Sequence, residues 1–145
     1  MYNLFSILFI RTKKHWKNYN KLFIYMELNY LYHYKAKVID VYDGDTVRLE
    51  VQLGFGLTWR GVDNKGLKIR LFGINTPEVR GKERPEGLIS RDRLREQILG
   101  KHITLKTIRD KTGKYGRYLG VLIKEDGTNM NEWLVSEGLA ERREY

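Results

Sequence analysis

Between Val47 and Leu53 the chain alternates without interruption: Val47, Leu49, Val51 and Leu53 are apolar, while Arg48, Glu50 and Gln52 between them are polar. A period of two puts one set on each face of an extended backbone, so the run predicts a half-buried strand. Ala36, Val38 and the stretch from Ile39 to Val41 predict a strand before it, and Asp43-Gly44 supplies the turn between the two. A glycine-rich loop follows, with Gly54, Gly56, Gly61, Asp63 and Gly66, and then a third strand over residues 68–74 that ends at Asn75-Thr76-Pro77.

The period then changes. Pro85 suits the first turn of a helix, Leu88, Leu94, Ile98 and Leu99 give it an apolar face, and Gly100 ends it. Ile103, Leu105 and Ile108 predict a fourth strand, residues 111–116 a polar turn, and residues 118–123 a fifth strand. Asn129 with Glu132 three residues on predicts an N-cap with its capping partner for a second helix through Trp133, Leu134 and Val135, closed by Gly138. Five short strands, an inserted helix and a C-terminal helix fit an α+β fold: a five-stranded, partly open OB-fold barrel.

The 145 residues suffice for one ordinary domain, and 41% hydrophobic with 31% charged residues fit neither a disordered chain nor a multi-span membrane protein. The absence of cysteine excludes disulfides, thiolate metal sites and a cysteine nucleophile. Net charge is +9, which attracts polyanions, but Arg11, Lys13, Lys14, Lys17 and Lys21 precede Met26 with no acidic residue among them. Without that segment the count is 22 basic against 18 acidic residues, a net charge of only +4, so charge alone is a weak argument for nucleic-acid binding.

Residues 1–25 also differ in composition from the rest. The apolar run from Leu4 to Ile10 has no basic region before it and no small-residue cleavage site, and it is too short to cross a bilayer. Trp16, Tyr19, Phe23 and Tyr25 interleave with the lysines, as in an arm that meets a membrane surface or nucleic acid. The favoured expectation is an ill-ordered or non-native extension before a domain over residues 26–145. The poor match to a signal peptide favours the cytoplasm over export.

Three local features carry candidate chemistry. Asp43-Gly44-Asp45-Thr46, with Asp40 upstream, is an ordinary hairpin turn taken alone, yet its two carboxylates can ligate a hard divalent cation. Asn75-Thr76-Pro77-Glu78 could bring further oxygens alongside, at the end of a strand that carries Arg70. Lys114-Tyr115-Gly116-Arg117 sets a guanidinium beside a tyrosine, although a basic hairpin explains it equally well. Together they offer two arginines to grip phosphate, a glutamate to activate water, and acidic or amide oxygens for a metal, which is the inventory of phosphodiester hydrolysis. His15, His33 and His102 sit apart from any candidate nucleophile, so histidine-based mechanisms have less support.

In this order and at these separations, the three motifs resemble those of the staphylococcal nuclease (thermonuclease) family. Asn131-Glu132-Trp133-Leu134-Val135 with Gly138-Leu139-Ala140 is similar to the start of that family's later helix, and the resemblance covers residues 35–140. It implies an OB barrel with helices and metal-dependent cleavage of DNA and RNA with little sequence preference. Arg70 and Arg117 would hold the scissile phosphate, and Glu78 would act on the attacking water. Asp45, Asn75 and the Thr76 carbonyl would surround Ca²⁺, with Asp43 in an outer shell; Tyr115 and Lys114 would contact substrate. The expected partner is the DNA or RNA substrate, acted on by a monomer with no obligate protein partner and no membrane.

Two features depart from the family pattern. Asn75 stands where the family usually has a metal-binding aspartate, which weakens the expectation of Ca²⁺ and keeps Mg²⁺ and Mn²⁺ open. The sequence stops at Tyr145, so the expectation is that the family's third helix and following tail are absent, as in shorter forms resembling phage-borne or prokaryotic nucleases, to which Leu53-Gly54-Phe55-Gly56 and residues 80–87 are also similar. The alternative is a non-catalytic OB module that binds nucleic acid or protein, suggested by Asn75 and by aromatics able to stack on bases.

Overall fold

The alternating run becomes a strand that does two jobs. A computed structural model describes residues 31–108 and 118–144. The chain divides into Met1–Tyr32 and His33–Tyr145, and every strand and helix among the described residues lies in the second unit. Strand β1 (His33–Asp43) turns at Gly44 into β2 (Thr46–Gly54), which pairs antiparallel with β1 and with β4 (Leu67–Leu71). Parallel to β4 runs β7 (Tyr118–Ile123); β7 pairs with β6 (His102–Ile108), and β6 returns to β1.

The five strands thus close into a barrel, confirming the expected fold class. Closure requires β1 to bend, because it pairs with β6 from His33 to Lys37 and with β2 from Ala36 to Asp43. Register shifts between Val38 and Asp40 and between Val41 and Asp43 supply that bend, as bulges do in small barrels. The first also leaves Ile39 outside while Val38 and Val41 both point inward. Val47, Leu49 and Val51 fill the interior with Ile69, Leu71 and Leu105, as the period-two pattern requires, whereas Leu53 of the same run is exposed, on the part of β2 that extends past the barrel as a hairpin.

Helix α1 (Arg84–Ile98) follows a 3₁₀ turn (Gly81–Glu83) and buries Leu94 and Ile98 against the barrel. Arg95 anchors it, donating from Nε and Nη2 to the Val41 carbonyl at 3.1 and 2.8 Å. Helix α2 (Met130–Ser136) begins as expected, with Asn129 Oδ1 accepting from the backbone N–H groups of Asn131 and Glu132. Asn131 is buried and ties α2 to the sheet: its side-chain amide donates to the carbonyls of Phe72 and Gly120, and its oxygen accepts from the Leu122 N–H.

Four local expectations need correction. The glycine-rich loop contains a short strand, β3 (Leu57–Trp59), a hairpin extension of β2. The third predicted strand breaks at Phe72-Gly73, where Gly73 has φ 77°, and Ile74–Asn75 becomes a separate strand, β5. Leu99 is exposed, because the helix ends at Ile98 and the chain turns away. Glu132 does not reach back to the cap; its carboxylate takes two hydrogen bonds from Arg142, on a C-terminal strand β8 (Glu141–Arg142) that pairs with β5. The predicted turn at residues 111–116 and the segment 1–25 lie outside the described residues.

Candidate active site

Two turns far apart in sequence meet at one end of the barrel. The β1–β2 turn presents Asp43 and Asp45, and the Asp45 carbonyl accepts from the Leu71 N–H at 2.8 Å, placing the end of β4 beside it. Arg70 pairs with Thr46 across the β2–β4 ladder, so its side chain emerges next to Asp45. The chain after β5 then delivers Thr76, whose N–H donates to Asp45 Oδ2 at 3.0 Å.

Gly44 makes this approach possible. A methyl group there would stand 2.8 Å from Thr76 Cγ2 and 2.9 Å from Ser90 Cβ, closer than packed carbons tolerate. Ser90 lies on α1 and donates to the Leu139 carbonyl at 2.7 Å, so the turn, the Thr76 segment and the helix share one tight junction.

The polar groups at this junction form a single network. The Arg70 guanidinium is salt-bridged to Asp45 Oδ1, and its Nη2 donates to Asn75 Oδ1 at 2.9 Å and to the Ile74 carbonyl at 3.3 Å. Thr46 donates its hydroxyl to Asp45 Oδ1 at 3.2 Å, and Asp45 donates its N–H to Asp43 Oδ1 at 3.1 Å. Asp43, Asp45, Arg70 and Thr76 are all buried. Burial pushes the Asp43 carboxyl above its ordinary pKa, against the lowering effects of its hydrogen bond with Thr46 and the Arg70 charge.

The donors available to a cation are the Asp43 and Asp45 carboxylates, the Asn75 amide oxygen and the Thr76 carbonyl. All are hard oxygens, the donor type that Ca²⁺, Mg²⁺ and Mn²⁺ take, so the set fits such an ion in kind; in this structure Arg70 pairs with Asp45, and Arg70 and Arg143 both donate to Asn75 Oδ1. Among the described residues no group of three acidic, histidine or cysteine side chains converges on such a position, so water would have to complete a shell.

Glu78 sits two residues beyond Thr76 with its side chain exposed. Its backbone is fixed from α1: the Glu78 N–H donates to Glu83 Oε2 at 3.1 Å, and Gly87 lies so close to the Glu78 carbonyl that a side chain would collide with it. Glu83 occupies the N-cap position of α1 yet does not cap it, its carboxylate being turned to Glu78 instead. A cavity of about 310 Å³ adjoins the site on this side, lined by Asn75, Thr76, Pro77, Glu83, Glu86 and Glu141 among others. Its three carboxylates repel phosphate, so the face near Arg70 is the better place for a phosphodiester.

Arg117, Lys114 and Tyr115 lie outside the described residues. Strand β7 begins at Tyr118, which pairs with Ile69, the neighbour of Arg70.

The sequence profile described as "Staphylococcal nuclease homologue" matches residues 68–145. The chain belongs to this family. Among curated relatives, a protein of Escherichia coli O157:H7 named "Uncharacterized endonuclease" is 31% identical over 106 residues, covering 72% of this chain and 58% of that protein. An uncharacterized protein of Methanocaldococcus jannaschii is 32% identical over 132 residues, 74% of this chain and 58% of its own length. The chain therefore spans well under two thirds of the relatives it matches.

For this staphylococcal nuclease homologue the two acidic-turn motifs and Arg70 come together as the sequence suggests. Sequence reading missed Glu83, Gly87, Asn131 and Arg143. Asn131 lay inside a recognised motif but carried no sign of being buried. Arg143 donates to Asn75 Oδ1 at 3.3 Å and is placed by the β5–β8 pairing, which two-residue strands do not announce.

Proposed function

We propose that this chain is a metal-dependent nuclease that hydrolyses phosphodiester bonds of DNA, RNA or both with low sequence specificity. The observation that carries this reading is the convergence on Asp45 of the Arg70 guanidinium and the Thr76 N–H, which joins a phosphate-gripping group to an oxygen-donor set. Membership of the staphylococcal nuclease homologues supports it, as does the endonuclease name of one relative.

In this mechanism Arg70 holds a non-bridging oxygen of the scissile phosphate and stabilises the charge that develops on it, aided by Arg117. Glu78, exposed and two residues from Thr76, orients water for in-line attack and accepts its proton. Lys114 and Tyr115 contact the neighbouring phosphate or sugar. Asp45, Asn75 and Thr76, with Asp43 behind them, hold the divalent metal, Ca²⁺ first and Mg²⁺ or Mn²⁺ as alternatives; when bound it supplies Lewis-acid stabilisation of the phosphoryl oxygens. The side chains that read a base edge are not part of this set, in keeping with low sequence preference.

The test is cleavage of single-stranded DNA and of RNA by the full chain in Ca²⁺, Mg²⁺, Mn²⁺ and EDTA. Cleavage in at least one metal and none in EDTA is expected. Metal-independent binding without cleavage would instead favour the non-catalytic OB module, the reading that Asn75 suggests.

A further inference from the structure

The outer face of β4 carries a second cation besides Arg70. Leu67, Ile69 and Leu71 turn inward to the core, so Lys68 and Arg70 share the opposite face of the strand, two residues and roughly 7 Å apart. The β2–β4 ladder sets Arg70 opposite Thr46 and Lys68 opposite Arg48. Lys68 also belongs to the electrostatic neighbourhood of the acidic turn: burial raises the Asp43 carboxyl, and the two charges that oppose this are Arg70 and, more weakly, Lys68.

A tyrosine on β1 aims the lysine. The β1–β2 register slips between Val41 and Asp43, so Tyr42 has no partner on β2, and its side chain is exposed. A bulge of this kind re-aims a side chain, and bulges gather beside active sites. Here it sets the ring against the Lys68 ammonium, with Nζ 5.3 Å from the ring centroid. The attraction between ammonium and ring holds a flexible side chain in place without cancelling its charge.

The neighbouring cations are already paired. Arg48 meets Asp63 and the Gly66 carbonyl, Arg60 meets Glu50, and Arg95 meets Asp40. Among the described residues Lys68 has no ion pair with an acidic side chain, so its charge is open to an anion. An ammonium two strand positions from Arg70 stands where the next phosphate of an extended nucleic-acid strand passes.

We propose that Lys68, aimed by Tyr42, binds the phosphate next to the scissile one, so that the nucleic-acid strand runs along the outer face of β4 from Arg70 towards Gly66. The proposal rests on the nuclease reading for its substrate class and extends it, naming a second phosphate contact and the path of the strand. Tyr42 is a positioning residue that acts through Lys68.

The experiment measures binding of a short fluorescein-labelled oligothymidylate to the full chain in EDTA, by anisotropy across a salt series. Lys68→Ala and Lys68→Gln are each expected to weaken binding about tenfold and to reduce the slope of log K against log salt by roughly 0.7, one phosphate contact. Lys68→Arg should restore the slope, and Lys35→Ala, at the other end of β1, should match wild type. Tyr42→Leu should weaken binding about threefold at unchanged slope, while Tyr42→Phe keeps the ring and the affinity. Tyr42→Leu should add nothing once Lys68 is replaced by alanine, a coupling that a merely structural role would not produce. Thermal melts check that each variant folds.

Equal affinity and slope for wild type and the folded Lys68→Ala and Lys68→Gln variants overturns the proposal, as does a loss of affinity at unchanged slope or no binding by wild type. Cleavage of the same oligonucleotide in Ca²⁺, Mg²⁺ or Mn²⁺ separates the two readings. If wild type binds through Lys68 but no metal supports cleavage, the nuclease reading fails and this one stands. If wild type cleaves while Lys68→Ala keeps wild-type binding, slope and KM, this proposal alone fails.

Discussion

At the scale of single residues, the site is held by close approach as much as by charge. Gly87 is the clearest case, since α1 rests directly on the backbone of Pro77 and Glu78. Any side chain at 87 must push that segment away from the helix and carry Glu78 with it. Gly87→Ala is therefore expected to cost about 1–3 kcal/mol of stability through overpacking and, under the proposed mechanism in which Glu78 acts on water rather than on substrate binding, to lower kcat more than it raises KM. Urea denaturation with steady-state kinetics on an oligonucleotide checks both; a variant with wild-type stability and kcat would show that the helix does not position Glu78. Arg70 is the counterpart on the other side, its orientation fixed by Asp45, Asn75 and the Ile74 carbonyl before any substrate arrives.

At the scale of elements, α2 is tied to the barrel beside the ends of β4 and β7. Asn131 satisfies three backbone groups, on Phe72, Gly120 and Leu122, so Asn131→Ala should destabilise the fold by about 3 kcal/mol as those groups lose their partners. A shift in the urea midpoint at unchanged m-value is the expected signature. The turn before α2 gives a pH effect. Hydrogen bonds from Thr128, with a smaller contribution from Lys124, lower the exposed Asp126 carboxyl to about 2. A folded pKa below the unfolded one means that its contribution is complete above the ordinary value of 3.8 and is lost as the pH falls through about 2. Melting temperatures of wild type and Asp126→Asn should accordingly differ near neutrality and converge across that acid window; a constant difference would contradict the assignment.

The same elements show what a sequence reveals. The barrel strands and both helices were legible because their apolar periods are long enough to stand out, and the Asp43–Thr46 and Asn75–Glu78 motifs because turns restrict residue choice. Strands β3, β5 and β8 were not, since three or two residues carry no period and their pairing is set by what surrounds them. For the same reason the Glu132–Arg142 pair replaced the expected capping partner: Arg142 reaches Glu132 only once β8 has formed.

At the scale of the whole molecule, the barrel's task is to bring together groups that the chain keeps apart. Asp45 and Thr76 are separated by the whole of β2, β3, β4 and β5, yet closure of the five-stranded ring leaves them one hydrogen bond apart. α1 follows the second motif and bridges it to the first, through Ser90 at Gly44 and through Glu83 and Gly87 at Glu78. A modest net charge outside residues 1–25 fits a site that concentrates its cations locally instead of spreading them over the surface. The most direct test of the central claim is phosphodiester cleavage by wild type and Glu78→Gln, purified side by side and assayed in the metal that best supports activity. Loss of turnover by about two to three orders of magnitude in the variant, with the fold intact, is the predicted result. Equal turnover in both proteins would contradict the account, because the activity would then belong to another group or to a contaminant.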